Sequence, residues 1–329
     1  MTEPTIEKEK RDFHILSWGG GTQSTALMLK FVKGEIKDKS GTPIKLDYIF
    51  FADTNNESEM TYKQVYKVKD YIEQTYGQKI YITRKNKELL PDTEAIKLIE
   101  TGQLTNYRSS QYADLFQSHV LFFKGIIKST DVMPFWTRDK VTGKVGKTGT
   151  KACTFAYKIG QVMKELRLIT GIKRFNPDKH KVYMYIGFSV DEFQRSKPSF
   201  YPYTENRFPL IEMNLTRDDC INYVEQELGF RPISSVCNMC YANDIDRVYT
   251  IYKNDEKGWL RLLELDKAMG EKSPDHSIKK EVFMFKFQAD TNVRLADIDF
   301  NEFYKVYKSK DANLFDMEME MACAGGCFI

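Results

Sequence analysis

The sequence predicts an α/β fold: a Rossmann-like parallel sheet with helices on both faces, followed by a mainly helical C-terminal part. Short apolar segments alternate with longer segments of helical periodicity through the first half of the chain, and three consecutive glycines, Gly19 to Gly21, join the first two. Such alternation is typical of parallel sheets, which bind ligands beyond the carboxyl ends of their strands. The 329 residues, 42% of them hydrophobic, are enough to bury a sizeable core.

The predicted elements follow from periodicity and from residues that begin and end helices. In chain order they are strand 13–16, helix 26–32, strand 46–51, helix 59–76, strand 79–82, helix 91–100, helix 154–168, strand 181–186 and helix 218–228. Thr216 is the predicted N-cap of the last helix, and Gly229 closes it as the C′ residue. Periodicity weakens over 101–150, which we interpret as an insertion that covers or shapes a site. We expect a flexible N-terminus over 1–11, an α/β domain over 12–240 that contains this insertion, and a mainly helical subdomain over 241–329.

Composition excludes several classes of protein. The first eleven residues are charged and contain no apolar core, so they are not a secretory signal. No run approaches the roughly 18 apolar residues that span a bilayer, and we expect a cytoplasmic protein with no membrane partner. The net charge of +3, from 49 basic and 46 acidic residues, does not by itself establish nucleic-acid binding. A local basic stretch is either a mobile arm or a solvated β-hairpin; it carries Lys140, Lys144, Lys147 and Lys151.

The glycine loop, which we define as Gly19 to Thr25, has the composition of an anion-binding site. A strand, a glycine run and a helix start bring backbone N–H groups and the positive end of the helix dipole to one place. Glycine permits positive φ and a close approach of backbone to phosphate, while Ser24 and Thr25 offer hydroxyl donors. The loop has neither the P-loop nor the dinucleotide-fold spacing. It predicts phosphate binding; a glycine-rich turn without a ligand is the alternative.

The glycine loop resembles the pyrophosphate loop of the PP-loop ATP pyrophosphatases and of the phosphoadenosine-phosphosulfate (PAPS) reductases, which share the adenine nucleotide alpha-hydrolase-like fold. Gly20, Gly21 and Ser24 match the family pattern, whereas Gly19 and Gln23 stand where the family usually has Ser and Asp. The change at Gln23 removes a negative charge that helps to position a metal ion. Three further blocks follow in the family's order: Phe51–Glu57, Cys153–Ile159 and Gly187–Arg195. The rest of the chain is most similar to uncharacterised phage and bacterial members.

The resemblance implies a nucleotide site for ATP or PAPS with Mg²⁺. Its nucleotide-binding residues would be Gly19, Gly20, Gly21, Thr22, Gln23, Ser24, Thr25, Asp53 and Thr54, and its catalytic residues Ser24, Lys158, Arg195 and Cys327. Lys158 and Arg195 would pair with phosphate or sulfate oxygens. Asp53 would accept a hydrogen bond from ribose or hold Mg²⁺ through water. The ordinary alternatives are a solvated helix lysine and an Arg195–Glu192 surface ion pair.

Six cysteines in a chain without an export signal favour metal or redox chemistry over disulfides. Cys237 and Cys240 have the spacing of a pair that grips one metal or one cluster. Resemblance to the adenylylsulfate reductases implies a [4Fe–4S] cluster with Cys153 as third ligand and Cys323 or Cys327 as fourth, or with one iron left open for sulfide. A four-cysteine zinc site is the alternative. Cys220 is interpreted as a buried apolar residue.

Three functions remain open at this point. The first is ATP-dependent sulfur transfer to tRNA or DNA, with a cysteine desulfurase as sulfur donor. The second is a PAPS or adenylylsulfate reductase, in which the thiolate of Cys327 attacks sulfur and sulfite is released. The third is a nucleotide-binding module without turnover. The final segment, Cys323 to Cys327, matches the tail of the reductases poorly, which favours the first function.

Overall fold

The computed structural model describes residues 11–85, 94, 97–98, 101, 103, 114–125, 133–148, 152–271, 280–287 and 294–310. The chain divides into two compact units. Unit 1 is drawn from residues 1–52, 64–83 and 162–235, and unit 2 from 53–63, 84–161 and 236–329. The expected insertion and the expected C-terminal subdomain therefore fall in the same unit.

A five-stranded parallel sheet is the framework of unit 1, and it confirms the predicted fold class. The strand order is β3-β2-β1-β6-β7, and the order reverses between β1 and β6. This reversal is the topological switch point, where parallel sheets bind their ligands. The strands are β1 (Arg11–Trp18), β2 (Tyr48–Asp53), β3 (Ile80–Arg84), β6 (His180–Ile186) and β7 (Thr204–Arg207). The last residues of β2 and β3, Asp53 and Arg84, belong to unit 2.

Helices complete unit 1 and bury its core. The core is built around β1 and α1 and contains Leu16, Trp18, Leu27, Ile49, Val68 and Val224. The helices are α1 (Thr22–Val32), α2 (Glu59–Tyr76), α5 (Gly160–Thr170), α6 (Pro209–Glu212) and α7 (Arg217–Leu228), of which α2 and α5 begin in unit 2. Thr216 caps α7 through a capping box, and Gly229 ends it at φ 68°, as the sequence predicts.

Unit 2 has its own core, around Phe123, Phe135, Met239, Leu265 and Val282. A three-stranded antiparallel sheet in the order β5-β4-β8 joins residues from the expected insertion to the C-terminal part. Its strands are β4 (Phe135–Asp139), β5 (Val145–Thr148) and β8 (Lys280–Phe283). Its helices are α3 (Leu115–Phe123), α4 (Ala152–Thr154), a π-helical turn (Phe155–Ile159), α8 (Ile245–Asn254), α9 (Glu256–Glu271) and α10 (Phe300–Lys310).

The described part of the basic stretch forms a β-hairpin, which is one of its two predicted forms. Lys140, Lys144 and Lys147 lie on the β4–β5 hairpin, and Lys151 falls outside the described residues. The helix predicted over 91–100 also lies largely outside them, as does the expected flexible N-terminus up to residue 10. None of the described helices is long and apolar enough to cross a membrane.

Candidate functional site

The glycine loop connects β1 to α1 at the switch point of the sheet. β1 ends at Trp18 and α1 begins at Thr22, with Gly21 as an extended N-cap at φ −98° and ψ −175°. No side chain caps the first turn of α1 through this residue. The N-terminal N–H groups of a helix have no partner within the helix, and together with its dipole they favour an anion. The start of α1 therefore has the backbone chemistry of a phosphate site.

Close packing leaves no room for a side chain at two glycines of the loop, Gly20 and Gly21. Gly20 has φ +74°, and a Cβ there would lie 2.6 Å from Cγ2 of Val65 and 3.0 Å from Cε2 of Phe51. A Cβ at Gly21 would lie 2.9 Å from the backbone nitrogen of Ser235. Packing within unit 1 thus requires glycine at both positions, and the predicted approach of a phosphate to this backbone stays a prediction. A β-branched residue at Gly20 would disturb the fold and would not test binding.

The hydroxyl groups of Ser24 and Thr25 form hydrogen bonds within the glycine loop and to the end of β1. Ser24 Oγ accepts a hydrogen bond from the N–H of Gly19 at 3.2 Å and donates one to the carbonyl oxygen of Gly21 at 3.3 Å. Thr25 Oγ1 accepts from Nε1 of Trp18 at 3.0 Å, and both Thr25 and Thr22 are buried. Ser24 and Gln23 are half-buried. Ser24 is therefore the hydroxyl that both shapes the loop and has partial access to solvent.

The segment after β6 contacts the start of α1. A Cβ at Gly187 would lie 2.6 Å from Cα of Ser24, so the two backbones touch directly. Gln23 Nε2 donates to Oε2 of Glu192 at 3.2 Å, and Glu192 is paired with Arg195. Burial raises the pKa of Glu192, while the charge of Arg195 opposes that shift. Gln23 and Arg195 are thus joined through one carboxylate at the carboxyl ends of β1 and β6.

In unit 2, three of the nominated cysteines, Cys153, Cys237 and Cys240, line a single cavity of about 40 Å³. The π-helical turn supplies Lys158 to the same cavity, and π-turns occur often at functional sites. The Cys237–Cys240 segment forms a tight turn, with the N–H of Cys240 donating to the carbonyl of Cys237 at 3.0 Å. The complete lining is Thr54, Leu115, Met133, Cys153, Thr154, Lys158, Val236, Cys237, Cys240 and Tyr241. We call this the thiol cavity.

The thiol cavity does not have the geometry of a metal centre as it stands. Among the described residues, no three Cys, His, Asp or Glu side chains are placed to hold a metal ion together. Cys237 Sγ accepts from Nδ2 of Asn56 at 3.3 Å. Burial and the charge of Glu57 raise the pKa of Cys237 to about 12, so this thiol is neutral near pH 7. Cys323 and Cys327 lie outside the described residues.

Asp53 is buried and held by three donors. Its carboxylate accepts from Nε of Arg84 at 2.7 Å, from Oη of Tyr62 at 2.7 Å and from the N–H of Asn55 at 2.8 Å. Burial and the charge of Asp53 raise the pKa of Tyr62. The predicted ribose or magnesium role of Asp53 stays a prediction.

Glu57 is a buried acid beside the thiol cavity whose importance the sequence analysis missed. Thr54 Oγ1 donates to its Oε1 at 3.1 Å. Burial raises the pKa of Glu57 and Asp53 adds to that rise, whereas the charge of Lys158 lowers it. Lys158 is therefore more than a solvated helix residue, because its charge acts on both Glu57 and Cys237. The acidic character of the Phe51–Glu57 block was the available signal.

We expect Tyr62→Phe to lower the free energy of unfolding by about 1.5–3 kcal/mol, the usual contribution of a hydrogen bond to a charged group. Chemical denaturation would measure it. Tyr66→Phe is the matched control, because Tyr66 lies on the same helix with an exposed side chain. If Asp53 also binds nucleotide, Tyr62→Phe should change the nucleotide affinity as well. A free energy of unfolding equal to that of the wild type would contradict a stabilising hydrogen bond from Tyr62 to Asp53.

The predicted site residues fall in two places. Unit 1 contains the glycine loop and Arg195, while unit 2 contains Asp53, Thr54, Lys158 and the three described cysteines that were nominated as metal ligands. Comparisons with protein-family models, with curated proteins and with solved structures gave no match. Function must therefore be argued from the chemistry of these two sites.

Proposed function

We propose that the glycine loop binds the pyrophosphate part of an adenine nucleotide, and that the chain is a cytoplasmic enzyme of PP-loop type that adenylates a nucleic acid for sulfur insertion. One observation carries the proposal: a glycine-capped helix start lies at the switch point of a parallel sheet. Ligands bind at that place in such sheets, and a helix start favours phosphate there.

The proposed reaction splits ATP between its α- and β-phosphates. An acceptor oxygen attacks the α-phosphorus, the bond from that phosphorus to the bridging oxygen breaks, and pyrophosphate leaves with the bonding electron pair. N–H groups at Gly20, Gly21 and Ser24 stabilise the negative charge on the leaving group. Hydrosulfide then attacks the activated atom of the acceptor, the bond from that atom to the adenylated oxygen breaks, and AMP leaves with the bonding electron pair. With a persulfide as donor, its terminal sulfur makes the same attack, and a second thiol then cleaves the S–S bond, which releases the thiolated acceptor and leaves a disulfide on the donor cysteine. Arg195, beside Gln23 through Glu192, would pair with a phosphate oxygen.

The sulfur would be handled at the thiol cavity. Three cysteine thiols and one lysine line it, and thiolates are the ligands preferred by iron–sulfur clusters and by zinc. When bound, a cluster would supply an iron on which sulfide can be carried, and zinc would supply only structure. The described thiols need side-chain movement and deprotonation to ligate either, and no step above involves magnesium or a cluster. A cysteine desulfurase is the proposed sulfur donor.

The alternative proposal is reduction of an activated sulfate. Gln23 favours it, because the missing carboxylate weakens metal-assisted ATP cleavage while leaving a nucleotide sulfate free to bind. In that reaction the Cys327 thiolate attacks the sulfuryl sulfur, an enzyme thiosulfonate forms and the nucleotide leaves. A second thiol then reduces the thiosulfonate to a disulfide and releases sulfite.

A direct assay separates the two proposals. The protein is incubated with dithiothreitol and either ATP plus tRNA or single-stranded DNA, or PAPS and adenylylsulfate. We expect pyrophosphate release that depends on ATP and on the nucleic acid, and no sulfite from either nucleotide sulfate. Sulfite that is released by the wild type and abolished in Cys327→Ser would establish the reductase, and it would overturn our first proposal.

A further inference from the structure

The three-stranded sheet of unit 2 has one buried face and one outer face. Side chains alternate along a strand, so Phe135 and Thr137 point to one side and Trp136 and Arg138 to the other. Phe135, Thr137 and the neighbouring Val282 are buried. The other face carries Trp136, which lies opposite the exposed Lys147 on β5 and the buried Phe283 on β8, so this face is open towards β5 and covered at β8. Trp136 and Arg138 are half-buried and Lys147 is exposed.

This outer face and its turns are basic. Residues 133–148 and 280–287 contain Arg138, Lys140, Lys144, Lys147, Lys280 and Lys286, against Asp139 and Glu281. Nζ of Lys147 lies 5.1 Å from the ring centre of Tyr241, and Nζ of Lys286 lies 5.3 Å from that of Trp136. Neither lysine forms an ion pair with any residue that the structure describes.

The outer face leads to the thiol cavity. Trp136 Nε1 donates to the carbonyl oxygen of Tyr241 at 3.1 Å, and the two rings lie 6.3 Å apart. Tyr241 also lines the thiol cavity with the three cysteines. Tyr241 therefore contacts Trp136 on the outer face and lines the thiol cavity as well. All of these contacts lie within unit 2.

We propose that the outer face of the β5-β4-β8 sheet binds single-stranded nucleic acid, with phosphates at Lys147 and Lys286 and a base stacked on Trp136. Aromatic rings between cations bind single strands, because unpaired bases expose their faces while the phosphates need positive charge. A duplex hides those faces. This inference rests on the proposed function and deepens it, because it names the form of the acceptor and the surface that holds it.

Fluorescence anisotropy would test the proposal on the full chain. Labelled oligo(dT), oligo(U) and a duplex of equal length are titrated with protein without ATP or any sulfur donor, over a series of salt concentrations. We expect both single strands to bind more tightly than the duplex. In Lys147→Gln/Lys286→Gln, the slope of log affinity against log salt should fall by about 1.4, because each single-strand phosphate contact contributes about 0.7.

The matched control is Lys253→Gln/Lys257→Gln, which removes the same charge from exposed lysines of α8 and α9. Lys253 also lies over aromatic rings, so the control resembles Lys286 in its setting. We expect its slope to stay at the wild-type value. Equal slopes for the two double variants would overturn the proposal, as would duplex or polyglutamate competing as well as the single strands do.

Trp136 provides a second readout. Binding should quench tryptophan fluorescence in the wild type, and Trp136→Phe should lose that quenching while keeping most of the affinity. Trp136→Ala should weaken binding about tenfold or more through loss of stacking. Quenching that persists in Trp136→Phe would contradict the assignment. The binding titration contains no ATP, so its result is independent of the pyrophosphate assay. Nucleic-acid binding in the titration, with no pyrophosphate release in that assay, would count against the proposed function alone. Pyrophosphate release without binding at this surface would count against the present inference alone.

Discussion

Ser24→Asp is expected to abolish binding of ATP and of PAPS while leaving the fold intact. Ser24 is the third residue of α1, where a carboxylate interacts favourably with the helix dipole. The new carboxylate can also accept the N–H of Gly19, as Ser24 Oγ does now. A nucleotide phosphate at the same place would meet a like charge. At about 4 Å in a partly screened site this repulsion costs about 4 kcal/mol, or about a thousandfold in affinity.

Isothermal titration with ATP, PAPS and pyrophosphate would measure this effect, and thermal melting would show whether the fold is kept. Ser24→Ala is the matched control, since it removes the hydroxyl without adding charge; we expect it to weaken binding far less than Ser24→Asp does. An unchanged affinity for all three ligands in folded Ser24→Asp would place the nucleotide site elsewhere. Gly20→Val is a poorer test, because Val65 and Phe51 leave no room for its side chain.

Much of the fold could be predicted because it rests on local patterns. The helix over Glu59–Tyr76 follows from periodicity, and α7 follows from the capping box at Thr216 and the left-handed Gly229. The pairing of β4 with β8 could not be predicted in this way. The two strands lie far apart in the chain, and their pairing depends on the shared core of unit 2. Within 101–150, the weak periodicity at β4 reflects a strand whose partner lies far away in the chain.

The candidate site was only partly predictable from the sequence. Motif order nominated Cys153 with Cys237 and Cys240, and these cysteines line one cavity. The partners of Asp53 were not predictable, because nothing in the sequence links Arg84 to the end of β2. A glycine required by a ligand also looks the same in a sequence as one required by packing. The positions of Val65 and Phe51 show that packing requires glycine at residue 20, and its role in nucleotide binding stays a prediction.

Protein purified under anaerobic conditions is expected to contain iron and acid-labile sulfide and to absorb broadly in the visible range. Cys153, Cys237 and Cys240 would be ligands of a single centre, because they line one cavity. Each of Cys153→Ala, Cys237→Ala and Cys240→Ala should therefore reduce the metal content to background, since thiolates dominate the affinity of such sites. Inductively coupled plasma emission spectroscopy would measure the loss of metal, and visible absorption spectra would measure the loss of the cluster.

Cys220→Ala is the control for this series. Cys220 is a buried cysteine of α7, and burial raises the pKa of its thiol to about 12. It belongs to unit 1 and does not line the thiol cavity, so its removal should leave the metal content unchanged. The wild type could instead be colourless and contain stoichiometric zinc that is lost in the three cavity variants. The cavity would then hold a structural zinc ion and would have no role in carrying sulfur. Wild-type protein without metal would refute the centre altogether, in which case the half-buried Cys237 is a packing residue.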